Sequence, residues 1–257
     1  MLRITWVGHS TVLLELDGVR LVTDPVLRNR LAHLRRVGPR ADVGPLRDLD
    51  AVLVSHLHYD HLDVPSLLRL GRGVPIVIPA GSVMLLRRRG FSRITVLDVG
   101  EQLDIGGVTV AATEAAHDGR RMPFGAARPC VGYLVTGSAR IWFAGDTDYF
   151  DGMSALAPGL DVALLPVAGW GARLPEGHLD PSSAAEALRL LRPRVAVPIH
   201  WGTYKHFGLG RGEEVLRAPA ESFAEHAAEV APDVDVRLLS VGDTLELETP
   251  IAAGALP

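Results

Sequence analysis

Residues 55–61 read Ser-His-Leu-His-Tyr-Asp-His, with three histidines and an aspartate within six positions. Imidazole nitrogen and carboxylate oxygen are donors that suit Zn²⁺, at about 2.0–2.2 Å. His56 and His58 are two apart, so in an extended chain they point to the same side. Asp60 and His61 then fall in a turn that can bring them back. The run therefore offers two imidazoles to one ion, and a carboxylate plus an imidazole to a second. The rival reading is an exposed polar turn with coincidental histidines. The surrounding sequence lacks the charge or low-complexity bias of His-rich tails, which argues against it.

Four side chains do not fill two ions. His117, Asp146 and His200 are the natural additions, because each follows a strand-like run. Taken singly, each has a plain structural reading: an Asp after a strand caps or turns, and a lone His is usually a satisfied polar residue. Taken with the first motif, they complete a set of seven ligands. Two divalent ions about 3.5–4 Å apart lower the pKa of a water between them and clamp the reacting group.

These residues need strands that end together. Ala51 to Val54 is a wholly apolar run, the pattern of a strand buried on both faces, and the His-rich motif follows it directly. Open α/β sheets place their sites at such carboxyl ends. Ile4 to Val7 is a further strand. Thr11 to Leu16 and Val19 to Thr23 flank the hairpin signal Asp17-Gly18. Residues 27–45 are rich in Arg and Gly without a period and read as a surface loop. Val74 to Pro79, Ile94 to Leu97, Val108 to Thr113, Gly132 to Thr136, Arg140 to Phe143, Val162 to Pro166 and Val195 to Ile199 read as strands, with Val236 to Leu239 and Thr244 to Leu247 at the end. Helices are expected over Val64 to Gly71, Ser82 to Arg89, Pro181 to Leu191 and Ala218 to Ala231, with Ser182 and Ser183 as caps of the third. With no linker-like stretch, the expectation is one α/β (α+β) domain over 1–257, two β-rich halves packed as sheets with helices outside.

The chain has 257 residues, 47% hydrophobic and 22% charged, an ordinary globular balance. Its net charge of −4 lacks the basic footprint of a general nucleic-acid binder. Short basic clusters such as Arg35-Arg36 and Arg87-Arg88-Arg89 read as solvated faces. A single cysteine, Cys130, excludes an intrachain disulfide. No stretch approaches the ~20 apolar residues of a membrane helix. A cytoplasmic protein acting on a small-molecule substrate, with no nucleic-acid partner, is the expectation. Homo-oligomerisation is left open.

His56-x-His58-x-Asp60-His61, then His117, Gly145-Asp146-Thr147 and His200, resembles the ordered ligand signature of the metallo-β-lactamase superfamily. The resemblance implies a four-layer αββα sandwich, two β-sheets flanked by helices, with the site at one edge of the sheets. It also implies two divalent metal ions, Zn first with Mn or Fe as alternatives. His56, His58 and His117 would hold one, Asp60, His61 and His200 the other, and Asp146 would bridge them and offset their charge. In those roles Asp60 would also accept the proton of a metal-activated water or orient it, and hydrolysis of an ester, a lactone or a phosphodiester would follow. Trp6-Val7-Gly8-His9-Ser10, Thr23-Asp24-Pro25, Gly177-His178-Leu179-Asp180-Pro181 and Pro198 to Thr203 resemble the branch containing ascorbate-6-phosphate lactonase and N-acyl-phosphatidylethanolamine phospholipase D. That resemblance implies a phosphodiesterase or lactonase in which His178 contacts an anionic substrate. His9 and Asp24 have two readings, orienting a metal ligand or plain structural duty in the hairpin. Trp170, Tyr204 and Lys205 are candidates near the substrate, with Trp201 and His206 at the mouth and Arg120 and Arg121 as further candidates. For single residues, the rival readings are a helix-entry histidine satisfied by backbone for His178, core packing or loop anchoring for Trp170, and a solvated surface side chain for Lys205. The rival readings are a lapsed metal-binding sensor or scaffold of the same fold, and an RNA-processing nuclease. The filled ligand set opposes the first, and the charge balance opposes the second.

Overall fold

The computed structural model describes residues 1–121, 127–169, 174–206 and 213–248. The strands are β1 (Leu2–Gly8), β2 (Thr11–Leu16), β3 (Val19–Thr23), β4 (Arg30–Leu31), β5 (Leu34–Arg36), β6 (Ala51–Leu53), β7 (Ile76–Ile78), β8 (Ile94–Val96), β9 (Gln102–Ile105), β10 (Val108–Glu114), β11 (Val131–Thr136), β12 (Arg140–Phe143), β13 (Val162–Pro166), β14 (Val195–Ile199), β15 (Tyr204–His206), β16 (Asp235–Val236) and β17 (Thr244–Leu247). The helices are α1 (Val64–Leu70), α2 (Val83–Arg87), α3 (Pro181–Leu191) and α4 (Glu213–Val230).

Two seven-stranded sheets result. The first runs β17-β1-β2-β3-β6-β7-β8 and the second β16-β14-β13-β12-β11-β10-β9. The period of two in the strands explains the layering. Val12, Leu14, Leu16, Leu21 and Leu53 of the first sheet join a core with Val110, Tyr133, Val135 and Ile141 of the second. Their neighbours Leu13, Val22 and Val52 face the other way, into a cluster with Leu67 of α1 and Leu86 of α2. On the far side, Ala184, Leu188 and Leu191 of α3 and Phe223 of α4 cover the second sheet. This is the αββα sandwich expected from the sequence. No helix among the described residues is long and apolar enough to cross a membrane.

Several local details differ from the sequence reading. The stretch read as a loop contains β4 and β5, which join β15 in a small three-stranded sheet. Strands of two or three residues are too short to show a period. The edge strand β9 is only half-buried, so it carries no apolar run. Asp180, rather than Ser182, caps α3. Its carboxylate accepts from Ser183 N at 2.8 Å, and Ser183 Oγ accepts from Asp180 N at 2.9 Å. Helix α4 begins before Ala218, with Pro219 inside it.

Candidate metal centre

All seven expected ligands converge at one edge of the two sheets. β6 delivers His56 and His58, and the turn that follows delivers Asp60 and His61. This turn is closed by His61 N and Leu62 N donating to His58 O. Asp63 then caps α1, accepting from Ser66 N at 3.1 Å, so the ligand loop is pinned at its far end. The second sheet brings His117 three residues past β10, Asp146 three past β12, and His200 one past β14. Tyr133 Oη donates to Val54 O at 2.8 Å, and Val131 N donates to Ser55 O, so the two sheets are hydrogen-bonded together beside the motif.

The donor atoms form two clusters. In the first, His58 Nδ1 lies 3.0 Å from His56 Nε2 and 3.2 Å from His117 Nε2, with Asp146 beside them. In the second, His61 Nε2 and His200 Nε2 each lie 3.7 Å from Asp60 Oδ2. Asp146 spans both: its Oδ2 is 3.0 Å from His61 Nε2 and 3.9 Å from His56 Nε2, while Oδ1 is 3.4 Å from His200 Nε2. His9 joins the second cluster, its Nε2 3.3 Å from Asp60 Oδ2 and its ring 4.0 Å from that of His200.

The rings are aimed from behind. His117 Nδ1 donates to Gly177 O and His200 Nδ1 to Ala168 O, each at 2.7 Å. A ring nitrogen facing a carbonyl must carry the proton, which leaves Nε2 as a bare lone pair pointing inward. Asp24, fully buried, accepts from His61 Nδ1 at 2.7 Å, Ser55 N at 2.7 Å and Ser55 Oγ at 2.5 Å. Ser55 Oγ in turn lies 2.9 Å from His56 Nδ1. One carboxylate thus reaches a ring in each cluster, His61 directly and His56 through Ser55.

Electrostatics follow from burial and neighbours. Burial holds His56 and His58 below the usual imidazole range, and lowers His9 to about 3 and His117 to about 4. Burial also opposes charge on His61, but Asp146, Asp60 and Asp24 outweigh it and raise that ring well above the usual range. Burial works against ionisation of Asp60 and Asp146 too. The neighbouring His61, with hydrogen bonds from His200 and His9, outweighs it at Asp60, and the neighbouring His200 and His61, with a hydrogen bond from His178, outweigh it at Asp146, holding both carboxyls well below their usual range.

This donor set fits divalent metal ions. His61 Nε2 and Asp146 Oδ1 are buried and make no hydrogen bond of acceptable geometry among the described residues. Buried polar atoms are ordinarily satisfied, and these two face a nest of further imidazole and carboxylate donors. A cation is the partner that such atoms call for.

Among the substrate candidates, His178 lies at the centre. Its Nε2 is 3.6 Å from Asp146 Oδ2, its ring stands edge-on to His117 at 4.6 Å, and Nδ1 faces Pro175 O at 3.2 Å. Burial opposes its charged form, yet Asp146 raises its pKa above the usual value. Two other candidates are corrected. Tyr204 is buried, with its hydroxyl donating to Arg28 O at 2.6 Å, so that group is taken up by the backbone. Its ring sits 5.8 Å from His9 on the inner face of β15; Lys205, the next residue, therefore faces away from the centre. Trp201 is also buried, packed against Trp6 with ring centroids 4.8 Å apart and tilted by 30°, rather than at the mouth. Trp170 lies outside the described residues. Arg121 sits over the Tyr59 ring at 4.0 Å and donates to Leu57 O at 2.5 Å, bracing the motif's outer side.

Sequence reasoning missed Ser55 and Gly177. Gly177 has φ +83, and a Cβ there would lie 3.1 Å from His117 Nδ1. The only sequence signal was its place directly before His178.

Residues 19–201 match the family described as the Beta-lactamase superfamily domain. An N-acyl-phosphatidylethanolamine-hydrolyzing phospholipase D of Caenorhabditis elegans is 33% identical over 227 residues, covering 78% of this chain and 64% of its own length. The chain thus spans somewhat less than two thirds of that relative. A metal-dependent hydrolase of Methanopyrus kandleri is 29% identical over 252 residues, covering 95% of this chain and 100% of its own. The structure of a metallo hydrolase from Ignicoccus hospitalis superposes with a TM-score of 0.72 at 25% identity, covering 96% of this chain and 99% of that one.

Proposed function

The chain belongs to the metallo-β-lactamase superfamily of metal-dependent hydrolases, and from that membership we propose a two-metal enzyme that cleaves a phosphodiester, or a lactone or related ester, in a small anionic substrate. The observation that carries this reading is the pair of donor clusters sharing Asp146. His56, His58 and His117 would hold one ion, Asp60, His61 and His200 the other, with Asp146 between them. Zn²⁺ is the first assignment, and Mn or Fe would accept the same donors. The phosphodiester arm is favoured by the likeness to a phospholipase D.

Bound ions would supply Lewis acidity, lowering the pKa of water and polarising the scissile group. The chain's own residues do the rest. Asp60 is the more open of the two central carboxylates, its side chain 16% exposed against 3% for Asp146, and so is the one that can meet an entering water. It takes the proton as the water oxygen bonds to phosphorus or to the carbonyl carbon. His9, 3.3 Å away, holds the Asp60 carboxylate in place. Burial opposes a proton on His178 but Asp146 favours one, so its Nε2 is suited to donate to the oxygen on which negative charge grows. The bond to the leaving oxygen then breaks, and that oxygen receives a proton from His178 or Asp60.

The test is metal analysis of protein purified without chelators, followed by a panel of bis-p-nitrophenyl phosphate, lactones and a β-lactam for wild type and His178→Ala. We expect about two ions per chain and phosphodiester or lactone cleavage that stops on chelation. His178→Ala should lower kcat by ~10²–10³-fold, the usual loss on removing one such donor. A protein without metal, or a variant at wild-type rate, would overturn the centre or the role of His178 respectively.

A further inference from the structure

In a chain of net charge −4, residues 27–40 hold Arg28, Arg30, Arg35, Arg36 and Arg40 and no acidic residue. The fold splits this segment into two faces. Leu31 and Leu34 turn inward and form a small core with Val26 and Tyr204. Arg36, also buried, donates to Pro39 O at 3.0 Å and to the Val7 carbonyl. On the outer face, Arg30 is the cross-strand partner of Arg35, and Arg35 of Lys205. Three cations therefore stand side by side across the small sheet. Like charges directly opposite destabilise a sheet, so folding alone gives no reason to place them there.

Beside this row lies an open cleft of about 600 Å³, walled by Arg28, Arg30, Arg40 and Arg69 over Leu27 and Ala41, with no acidic residue in its lining. Two of the guanidinium groups are held in place. Arg28 makes two bonds to Asp63, at 2.9 and 2.6 Å, and Arg69 donates to Leu27 O at 2.6 Å. No carboxylate among the described residues pairs with Arg40 or Arg35.

We propose that this cleft binds a small molecule carrying phosphate groups, at a site separate from the histidine–aspartate centre. The planar fork of arginine matches phosphate oxygens two at a time, and several such forks around one hollow suit a ligand of more than one negative charge. The concave shape favours a small ligand over a lipid surface. None of the large exposed apolar side chains among the described residues belongs to this segment, so nothing there would enter a bilayer. The cleft backs onto the ligand loop, because Asp63, gripped by Arg28, lies two residues past His61. The proposal does not depend on the reaction assigned to the metal centre.

Calorimetric titration of the full chain with inorganic pyrophosphate, at constant ionic strength, tests it. The comparison is an Arg30→Ser/Arg40→Ser variant, two exposed positions outside the catalytic machinery. We expect one saturable site per wild-type chain and binding weaker by about tenfold or more in the variant, the scale of losing charge-assisted hydrogen bonds. Thermal melting and reporter hydrolysis should be unchanged. Absence of saturable binding overturns the proposal. So does binding that persists in the variant but vanishes on chelation, which would put the anion at the metal centre. Failure of pyrophosphate alongside Arg-dependent binding of phosphatidylglycerol vesicles would overturn it in favour of a membrane-facing surface.

Discussion

Replacing Asp24 by Asn tests the orientation of the rings without changing the shape of the site. Asp24 sits at φ +31, a conformation that Asn adopts as readily as Asp, so the backbone should tolerate the change. The carboxylate accepts three hydrogen bonds, from His61 Nδ1, Ser55 N and Ser55 Oγ. An amide has one oxygen to offer. If that oxygen keeps Ser55 N, the NH₂ group meets His61 Nδ1 and turns a donor's partner into a second donor. The His61 Nδ1 proton then has no acceptor, so the neutral ring keeps its proton on Nε2, the nitrogen 3.0 Å from Asp146 that a metal ion would need bare. Loss of an outer carboxylate of this kind typically costs ~10–100-fold in metal affinity, or about 1.4–2.8 kcal/mol. The metal-free fold also loses a buried hydrogen bond to a charged group, about 1.5–3 kcal/mol. Competition against a chromophoric chelator should therefore show one ion weakened more than the other, since the contact to His56 runs indirectly through Ser55. Circular dichroism melting should show a folded but less stable apoprotein. Two ions held at wild-type affinity would refute the reasoning.

The two clusters should also differ in proton release. In the metal-free protein at pH 7, burial keeps His56, His58 and His117 neutral, whereas Asp146, Asp60 and Asp24 overcome burial and keep His61 charged. Metal ligation requires the bare ring, so filling the first cluster should release almost no proton, whereas filling the second should release the proton held on His61. Calorimetry in buffers of different ionisation enthalpy reads this directly, and equal release at both steps would contradict it. At Gly145, where φ is +64, an added Cβ would lie 2.8 Å from Ser55 Cβ and 3.1 Å from Val131 O. Gly145→Ala should cost about 1–3 kcal/mol of overpacking and lower metal content by displacing Asp146. Denaturant unfolding and metal analysis at wild-type values would refute that tight fit.

The ligands were legible because their chemistry and spacing are local. The motif sits at the end of an apolar strand, and the others follow strands of the same kind. β2, β3, β13 and α3 have the bounds read from the sequence, since Asp17-Gly18 marks one turn and Asp180-Pro181 marks a helix start. What escaped is non-local or carried by the backbone. The carbonyls of Ala168 and Gly177 that orient two rings have no side-chain signature. Tyr204 and Lys205 were placed by nearness to His200 along the chain. Which face of β15 each occupies depends on its pairing with β5, far away in sequence. Trp201 was drawn off in the same way by Trp6.

On the proposed assignment, neither ion can be held by one sheet alone. The first sheet supplies His56, His58, Asp60 and His61, and the second supplies His117, Asp146 and His200. During synthesis, a chain that has made only β1 to β8 exposes four donors but lacks the second sheet's members of each cage. Capture of the first ion then waits for His117 and Asp146, and capture of the second for His200, each with the two halves docked. The cell's metal supply would act as an inspector of assembly, loading finished molecules and passing over half-made ones.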